Sequence, residues 1–256
     1  MPGSIRLSLD DGIARLTFAR PDRLNAFDFA MGSEYRDACL AAVADPGTRA
    51  ILVSAEGRAF CAGGDVLAMA QSGADQDGIT AAAHQIHAGI AALVEAPIPV
   101  VAAAQGAVAG GGIGLLLAAD YVVAGEDLRV AGRYAGVGLS PDLGVSTLLT
   151  RAVGERRALE LLLSDRELDA ATARDWGMVA EVSAAPLDRA LEIARGWADG
   201  PSGALGQAAR LVRASATRTF RESLDDEART IGAAFVGAEA SERIAAFAAA
   251  AAGGRR

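Results

Sequence analysis

The chain has 256 residues, 52% of them hydrophobic, and a formal net charge of −8. That length and apolar content supply one sizeable core, and the acidic balance, with no basic run longer than a pair such as Arg255-Arg256, argues against a nucleic-acid surface. Two cysteines, Cys39 and Cys61, make neither a disulfide framework nor a metal site, and no window approaches the roughly eighteen strongly apolar residues of a membrane helix.

Residues 1–6 lack the basic-then-apolar pattern of a secretion signal, so a cytoplasmic location is expected. Residues 5–9 and 13–18 alternate about Asp10-Asp-Gly12 and predict a hairpin on an Asp-Gly turn. Arg20 to Ala26 is a loop. Asp28 caps a helix over 29–44, which Pro46 and Gly47 end. Residues 50–54 form a short buried strand. Gly57 to Asp65 is a glycine-bearing loop entering a helix, and the polar stretch 71–78 reads as a mobile loop. A helix over 81–95 carries both histidines, His84 and His87, and Pro97 and Pro99 stop it. Further on, 98–104 is a buried strand, 113–119 a helix start, 120–124 a strand and 130–138 irregular. Ser140-Pro-Asp142 precedes a helix through Leu149, and helices follow over 155–163 and 169–176. After a short strand over 179–182, only helices remain: 187–199, 204–215, 220–236 and 241–252. Strands mixed with helices, then helices alone, predict an α/β core over 1–195 and a helical C-terminal region over 196–256. No internal sequence repeat is visible.

The stretch Gln105-Gly-Ala-Val-Ala-Gly-Gly-Gly-Ile-Gly114 joins a buried strand to a helix. Three consecutive glycines there let the backbone pass close to a ligand and leave N–H groups free at a helix start. A tight turn needing positive φ would use the same residues. The dinucleotide fingerprint fails, because the sixth position counted from Gly110 is Leu115. The P-loop fails too, because all 24 basic residues are arginine; this also excludes a lysine Schiff base.

Four segments, taken together and in this order, resemble the crotonase (enoyl-CoA hydratase/isomerase) superfamily. They are Arg20-Pro-Asp-Arg-Leu-Asn-Ala26, Ala59-Phe-Cys-Ala-Gly-Gly-Asp-Val66, Gln105-Gly-Ala-Val-Ala-Gly-Gly-Gly112 and Asp175-Trp-Gly-Met-Val179. The resemblance implies a spiral of ββα turns, a helical C-terminal region that builds trimers or hexamers, and an acyl-CoA thioester as ligand, with no cofactor beyond its CoA moiety. It implies that the N–H groups of Gly64 and Gly111 form an oxyanion hole. It further implies that Arg23, Leu24, Ala26, Ala62, Gly63, Asp65 and Val66 contact CoA. Two preorganised donors suit a thioester enolate, whose charge sits on one oxygen.

Hydratases of this family use two Glu residues. Their positions are Gly114 and Tyr134 here, so both carboxylates are absent. Asp142 falls where the family's isomerases carry a single acidic residue, and 138–142 resembles the phenylacetate-pathway isomerase branch. A carboxylate there, buried among apolar walls, would remove a proton beside the thioester and return it two carbons away. Asp142 could equally cap the following helix. His87 lies where the 4-chlorobenzoyl-CoA dehalogenase branch has a functional His, with Asp142 then as nucleophile; a lone His on an Ala-rich helix is otherwise a partly buried polar residue. That branch's aromatic pocket is missing, since Gly64 and Ile86 occupy its aromatic positions. Tyr134 could line the pocket or donate a hydrogen bond. His84 and His87 at i, i+3 lack a third metal ligand, so no metal is expected. Cys61 reads as a packing residue, Trp176 and Trp197 as core or interface, and 67–79 as a cap over the pocket. The expectation is an isomerase moving an enoyl-CoA double bond from the 3- to the 2-position, with Asp142 as proton shuttle. A hydratase, a dehalogenase-like displacement and a weakly catalytic CoA-binding subunit are the alternatives.

Overall fold

The computed structural model describes residues 3–253, so the Met1 start and the Arg255-Arg256 run lie outside the described residues. β1 (Ile5–Asp10) and β2 (Ile13–Phe18) form the expected hairpin, in register from Ile5 opposite Phe18 to Asp10 opposite Ile13. Asp11 and Gly12 take φ of +49° and +75°, the two-residue turn whose twist matches its strands. The Asp28 carboxylate accepts the Met31 N–H at 2.9 Å and starts α1 (Phe29–Ala44).

A repeating path follows. β3 (Ala50–Ala55), β4 (Ala59–Cys61), α2 (Val66–Ser72) and α3 (Gln76–Glu95) make one turn. β5 (Val100–Ala104), β6 (Ala107–Ala109) and α4 (Gly112–Leu117) make the next. β7 (Tyr121–Gly125), β8 (Arg129–Ala131) and α5 (Val145–Val153) make the third. α6 (Glu155–Leu163), β9 (Glu167–Asp169), α7 (Ala170–Asp175) and β10 (Glu181–Ser183) complete the core. Each turn puts one strand into each of two sheets, ordered β1-β2-β3-β5-β7-β10 and β4-β6-β8-β9. The spiral is therefore a repeat in structure with no repeat in sequence. At the corner between β5 and β6, Gly106 has φ +57°, and a Cβ there would lie 1.8 Å from the Arg58 carbonyl oxygen. Only glycine lets the chain cross from one sheet to the other at that point.

The central strands β3, β5 and β7 are buried on both faces, which explains why they read as unbroken apolar runs. Ile51, Val53, Val100, Ala102 and Ala104 face the main core, alongside the aromatic cluster of Phe18, Phe27, Tyr35 and Phe60. Ala50, Leu52, Val101 and Ala103 face Ala190, Ala194 and Ala198 of α8 (Pro186–Asp199). Residues 195 and 196 lie inside α8. α9 (Ser202–Ser215), α10 (Phe220–Phe235) and α11 (Ala238–Gly253) complete the helical end. Arg213 of α9 ties it to the spiral: its guanidinium donates to the carbonyls of Leu93, Val94 and Ala96 at the end of α3 and to Asp120. A cation closing the last carbonyls of a helix complements its dipole.

The structure departs from the expected elements at α3, at the short strands and at α5, which runs on to Val153 instead of ending at Leu149. α3 begins at Gln76 because the Asp75 carboxylate accepts the Gly78 N–H, so the supposed mobile loop shrinks to a short turn at Gly73. β6, β8 and β9 have three residues each, too few to show a period of two. Among the described residues no helix is long and apolar enough to cross a membrane.

Candidate active site

The first glycine loop is held by the segment before α1. Asn25 is fully buried; its amide donates to the carbonyls of Glu56 and Ala59 and its Oδ1 accepts the Arg20 N–H. Backbone bonds then pair Ala62 with Leu24, Gly63 with Phe27 and Asp65 with Phe27 at 2.8–3.0 Å. Gly63 takes φ +98°, and a Cβ on it would meet the Ala109 oxygen at 2.8 Å, so the two glycine loops touch. These contacts leave the N–H groups of Gly64 and Gly111 with no acceptor among the described residues. They are the two donors named from the sequence.

Arg20, which the sequence reading passed over, locks this region. It donates to the Ala26 carbonyl at 2.7 Å and to Asp65 at 2.9 Å, and pairs with Asp28 at 3.0 Å. Asp65, only 7% exposed, also caps α2 through the Ala68 N–H. Burial pushes the Asp65 carboxyl up, but the Ala68 N–H and the Arg20 guanidinium outweigh it and hold the carboxyl below its ordinary value. The folded state thus prefers ionised Asp65. Its contribution is complete above the ordinary carboxylate range and is lost as pH falls through the lowered value. Arg20→Ala leaves a buried carboxylate without its cation and is expected to cost ~2–4 kcal/mol, read as a melting temperature lower by about 5–10 °C at neutral pH. The deficit narrows in acid, and an unchanged melt would refute the lock.

The second half of the site is the corner at 142–144. Gly144, not Asp142, is the N-cap residue of α5, and the Asp142 backbone carbonyl accepts the Val145 N–H at 3.0 Å. The carboxylate is therefore not spent on capping. Its Oδ1 accepts the Tyr134 hydroxyl at 2.7 Å, while the Asp142 N–H donates back to that hydroxyl at 3.3 Å. Burial, then the neighbouring Asp142 charge, pushes the Tyr134 phenol well above its ordinary value, so it stays a donor. Contrary to the expectation of burial, Asp142 is exposed, although it lines the pocket. Leu143 follows at φ +49°, a left-handed conformation that costs a leucine roughly 1–2 kcal/mol. Its N–H donates to His87 Nε2 at 3.2 Å.

These parts surround one cavity of about 300 Å³. Ala62, Gly63, Gly64, Val66, Gly111, Tyr134 and Asp142 line it, with Phe29, Met69, Ile79 and Ile86 as apolar walls from α1, α2 and α3. A Cβ built on Gly111 would lie 3.5 Å from Asp142 Oδ1, so the carboxylate sits beside one of the two free donors. Asp28 also lines the cavity, but its oxygens are occupied by Met31 and Arg20. Arg23, Leu24, Ala26 and Asp65 do not line it; Ala26 and Asp65 are buried behind the loop and Arg23 is exposed outside it. His87 stands behind Leu143 and is not part of the wall. Cys61 is fully buried and its thiol is pushed up to about 12 by burial, so it packs and does not attack. No cluster of three metal-binding side chains occurs among the described residues.

The sequence matches the family model for enoyl-CoA hydratase/isomerase over residues 8–251. It is 34% identical over 213 residues to a Mycobacterium tuberculosis (strain ATCC 25618 / H37Rv) protein named "Probable enoyl-CoA hydratase EchA14", covering 83% of this chain and 82% of that one. It is 31% identical over 223 residues to the 1,2-epoxyphenylacetyl-CoA isomerase of Escherichia coli (strain K12), covering 86% and 85%. The crystal structure of an enoyl-CoA hydratase from Polaromonas sp. JS666 superposes with a TM-score of 0.90 at 30% identity, over 96% of this chain and 97% of the other. By sequence, by fold and by the paired glycine loops, this chain is a member of the enoyl-CoA hydratase/isomerase family.

Proposed function

We propose that the protein is an enoyl-CoA isomerase that moves a double bond from the 3- to the 2-position. One observation carries the reading: Asp142 is the cavity's single carboxylate, among the described residues, bound to neither a helix cap nor a cation, and it lies beside the free Gly111 N–H. Asp142 removes a proton from C2 of the 3-enoyl thioester. The electron pair runs into the carbonyl, and the dienolate oxygen is held by the N–H groups of Gly64 and Gly111. The protonated carboxyl then returns the proton to C4, leaving the C2–C3 double bond. Atoms balance with no water consumed and no cofactor needed. CoA lies along 62–66, with Arg23 at the outer edge.

The two-Glu hydration route has no support here. Gly114 is closed by backbone, since a Cβ there would sit 1.9 Å from the Leu143 oxygen, and Tyr134 is a neutral phenol. Displacement with His87 as base is disfavoured, because its Nε2 already accepts a backbone N–H. An ultraviolet assay with a 3-enoyl-CoA tests the proposal. Conjugated thioester should accumulate without 3-hydroxyacyl-CoA; hydroxyacyl product from the outset would overturn it. Tyr134→Phe removes the donor that orients the carboxylate and should lower kcat about 10–100-fold with little change in KM. Equal kcat would show that Tyr134 only packs. We also infer self-association as a trimer or dimer of trimers. Phe220, Ile231, Phe235, Val236 and Phe247 in and beside the last helices are each at least 67% exposed, large apolar side chains that an interface between copies would cover. Sedimentation reads the state directly.

A further inference from the structure

We infer that His87 is a positioning residue: its Nε2, by accepting the Leu143 N–H, holds the 142–144 corner in the strained conformation that aims Asp142 at the substrate beside Gly111. The inference rests on the isomerase reading above and adds a residue that touches neither substrate nor the reacting atoms.

The corner is strained where the chemistry needs it. Leu143 is 3% exposed with φ +49°, and Gly144 follows at φ +77°, so two successive residues are left-handed. Such a conformation persists only where its surroundings over-determine it. Three contacts do so. The Leu143 side chain lies over Gly111, its Cδ1 2.6 Å from where a Cβ would stand. The Leu143 carbonyl lies over Gly114. The Leu143 N–H, which would otherwise be a buried unpaired donor, is taken by His87 from α3. An accepting nitrogen carries no proton, so the ring proton sits on Nδ1, and Nε2 is committed to the backbone. Tyr134 holds the same corner from the other side, through Asp142 itself. Asp142 is thus fixed between a bond to its carboxylate and a bond to the next residue's N–H. Because Leu143 also rests on Gly111, slack in the corner would disturb the base and one oxyanion donor together.

The test uses the full-length protein with a 3-enoyl-CoA, three variants, and exchange of the thioester α-proton with deuterated solvent as a second readout. His87→Leu fills the space without an acceptor. His87→Asn carries an acceptor too short to reach Leu143. His87→Gln carries one at about the Nε2 position. Leu and Asn should lower kcat and exchange about 10–100-fold, as for a reacting group displaced by an ångström, with KM within about threefold. Gln should recover most of that loss. Melting curves and acyl-CoA binding show whether each variant is folded. A Gln variant as slow as the other two means that the imidazole acts as a base and overturns the inference. So do Leu and Asn variants as fast as wild type, while loss of activity in Asp142→Asn keeps the isomerase reading intact. Wild-type protein that neither isomerises nor exchanges overturns that reading, and this one with it.

Discussion

Asp142→Asn is expected to lower kcat by about 10³–10⁴-fold and leave acyl-CoA affinity within about threefold. General acid–base catalysis by one side chain contributes 10²–10⁴-fold, and in the proposed reaction the same carboxyl serves both proton transfers, which places the loss in the upper part of that range. The substitution is a clean one. An amide oxygen still accepts the Tyr134 hydroxyl, and the backbone bonds to Val145 and His87 do not involve the side chain. The corner should therefore stay in place with its charge removed. The oxyanion donors are untouched, so the residual rate reports what Gly64 and Gly111 achieve alone. Asp142→Glu keeps the charge but moves it about one methylene further into the pocket, and should recover only part of the loss. A variant with asparagine turning over within about tenfold of wild type would remove Asp142 from the mechanism and favour a binding role for the chain.

The sequence and the structure agree most closely where a residue type is dictated locally. The Asp11-Gly12 turn, the Asp28 cap and the glycines of the two loops each answer a backbone demand that few other residues meet. What escaped the sequence depends on neighbours distant along the chain. Arg20 and Asp65 are 45 residues apart, and nothing near either announces the pair. Leu143 was invisible as a structural wedge, because no propensity puts leucine at positive φ; Gly111, Gly114 and His87 together force it there. Whether Asp142 caps the following helix was undecidable from spacing; in the structure Gly144 takes the cap position. The resemblance pointed to Gly64, Gly111 and Asp142, but their convergence on one cavity is a property of the spiral. Successive turns stack the first loop, the second loop and the 142–144 corner side by side.

Gly114→Glu, which installs the first hydratase carboxylate, is expected to abolish the proposed isomerase activity without creating a hydratase. A Cβ at this position would lie 1.9 Å from the Leu143 oxygen and 2.9 Å from its carbonyl carbon, with Val145 Cγ2 at 3.3 Å. The collision is with backbone and no rotamer relieves it. To seat any side chain, the 142–144 corner must lift away from α4. Leu143 then gives up its bond to His87 and its seat on Gly111, and Asp142 leaves the line between Tyr134 and the cavity. We expect kcat to fall at least about 100-fold, and overpacking of this kind to cost ~1–3 kcal/mol or more, a melting temperature lower by about 5 °C. Gly114→Ala is the decisive companion, since the clash begins at Cβ. Alanine should do nearly the same damage, although it brings no carboxylate. A Glu variant that hydrates 2-enoyl-CoA while keeping its 3-enoyl turnover would show that the two carboxylate positions can coexist. If both variants fail together, it is the volume of a side chain at position 114, and not its charge, that the 142–144 corner of this chain excludes.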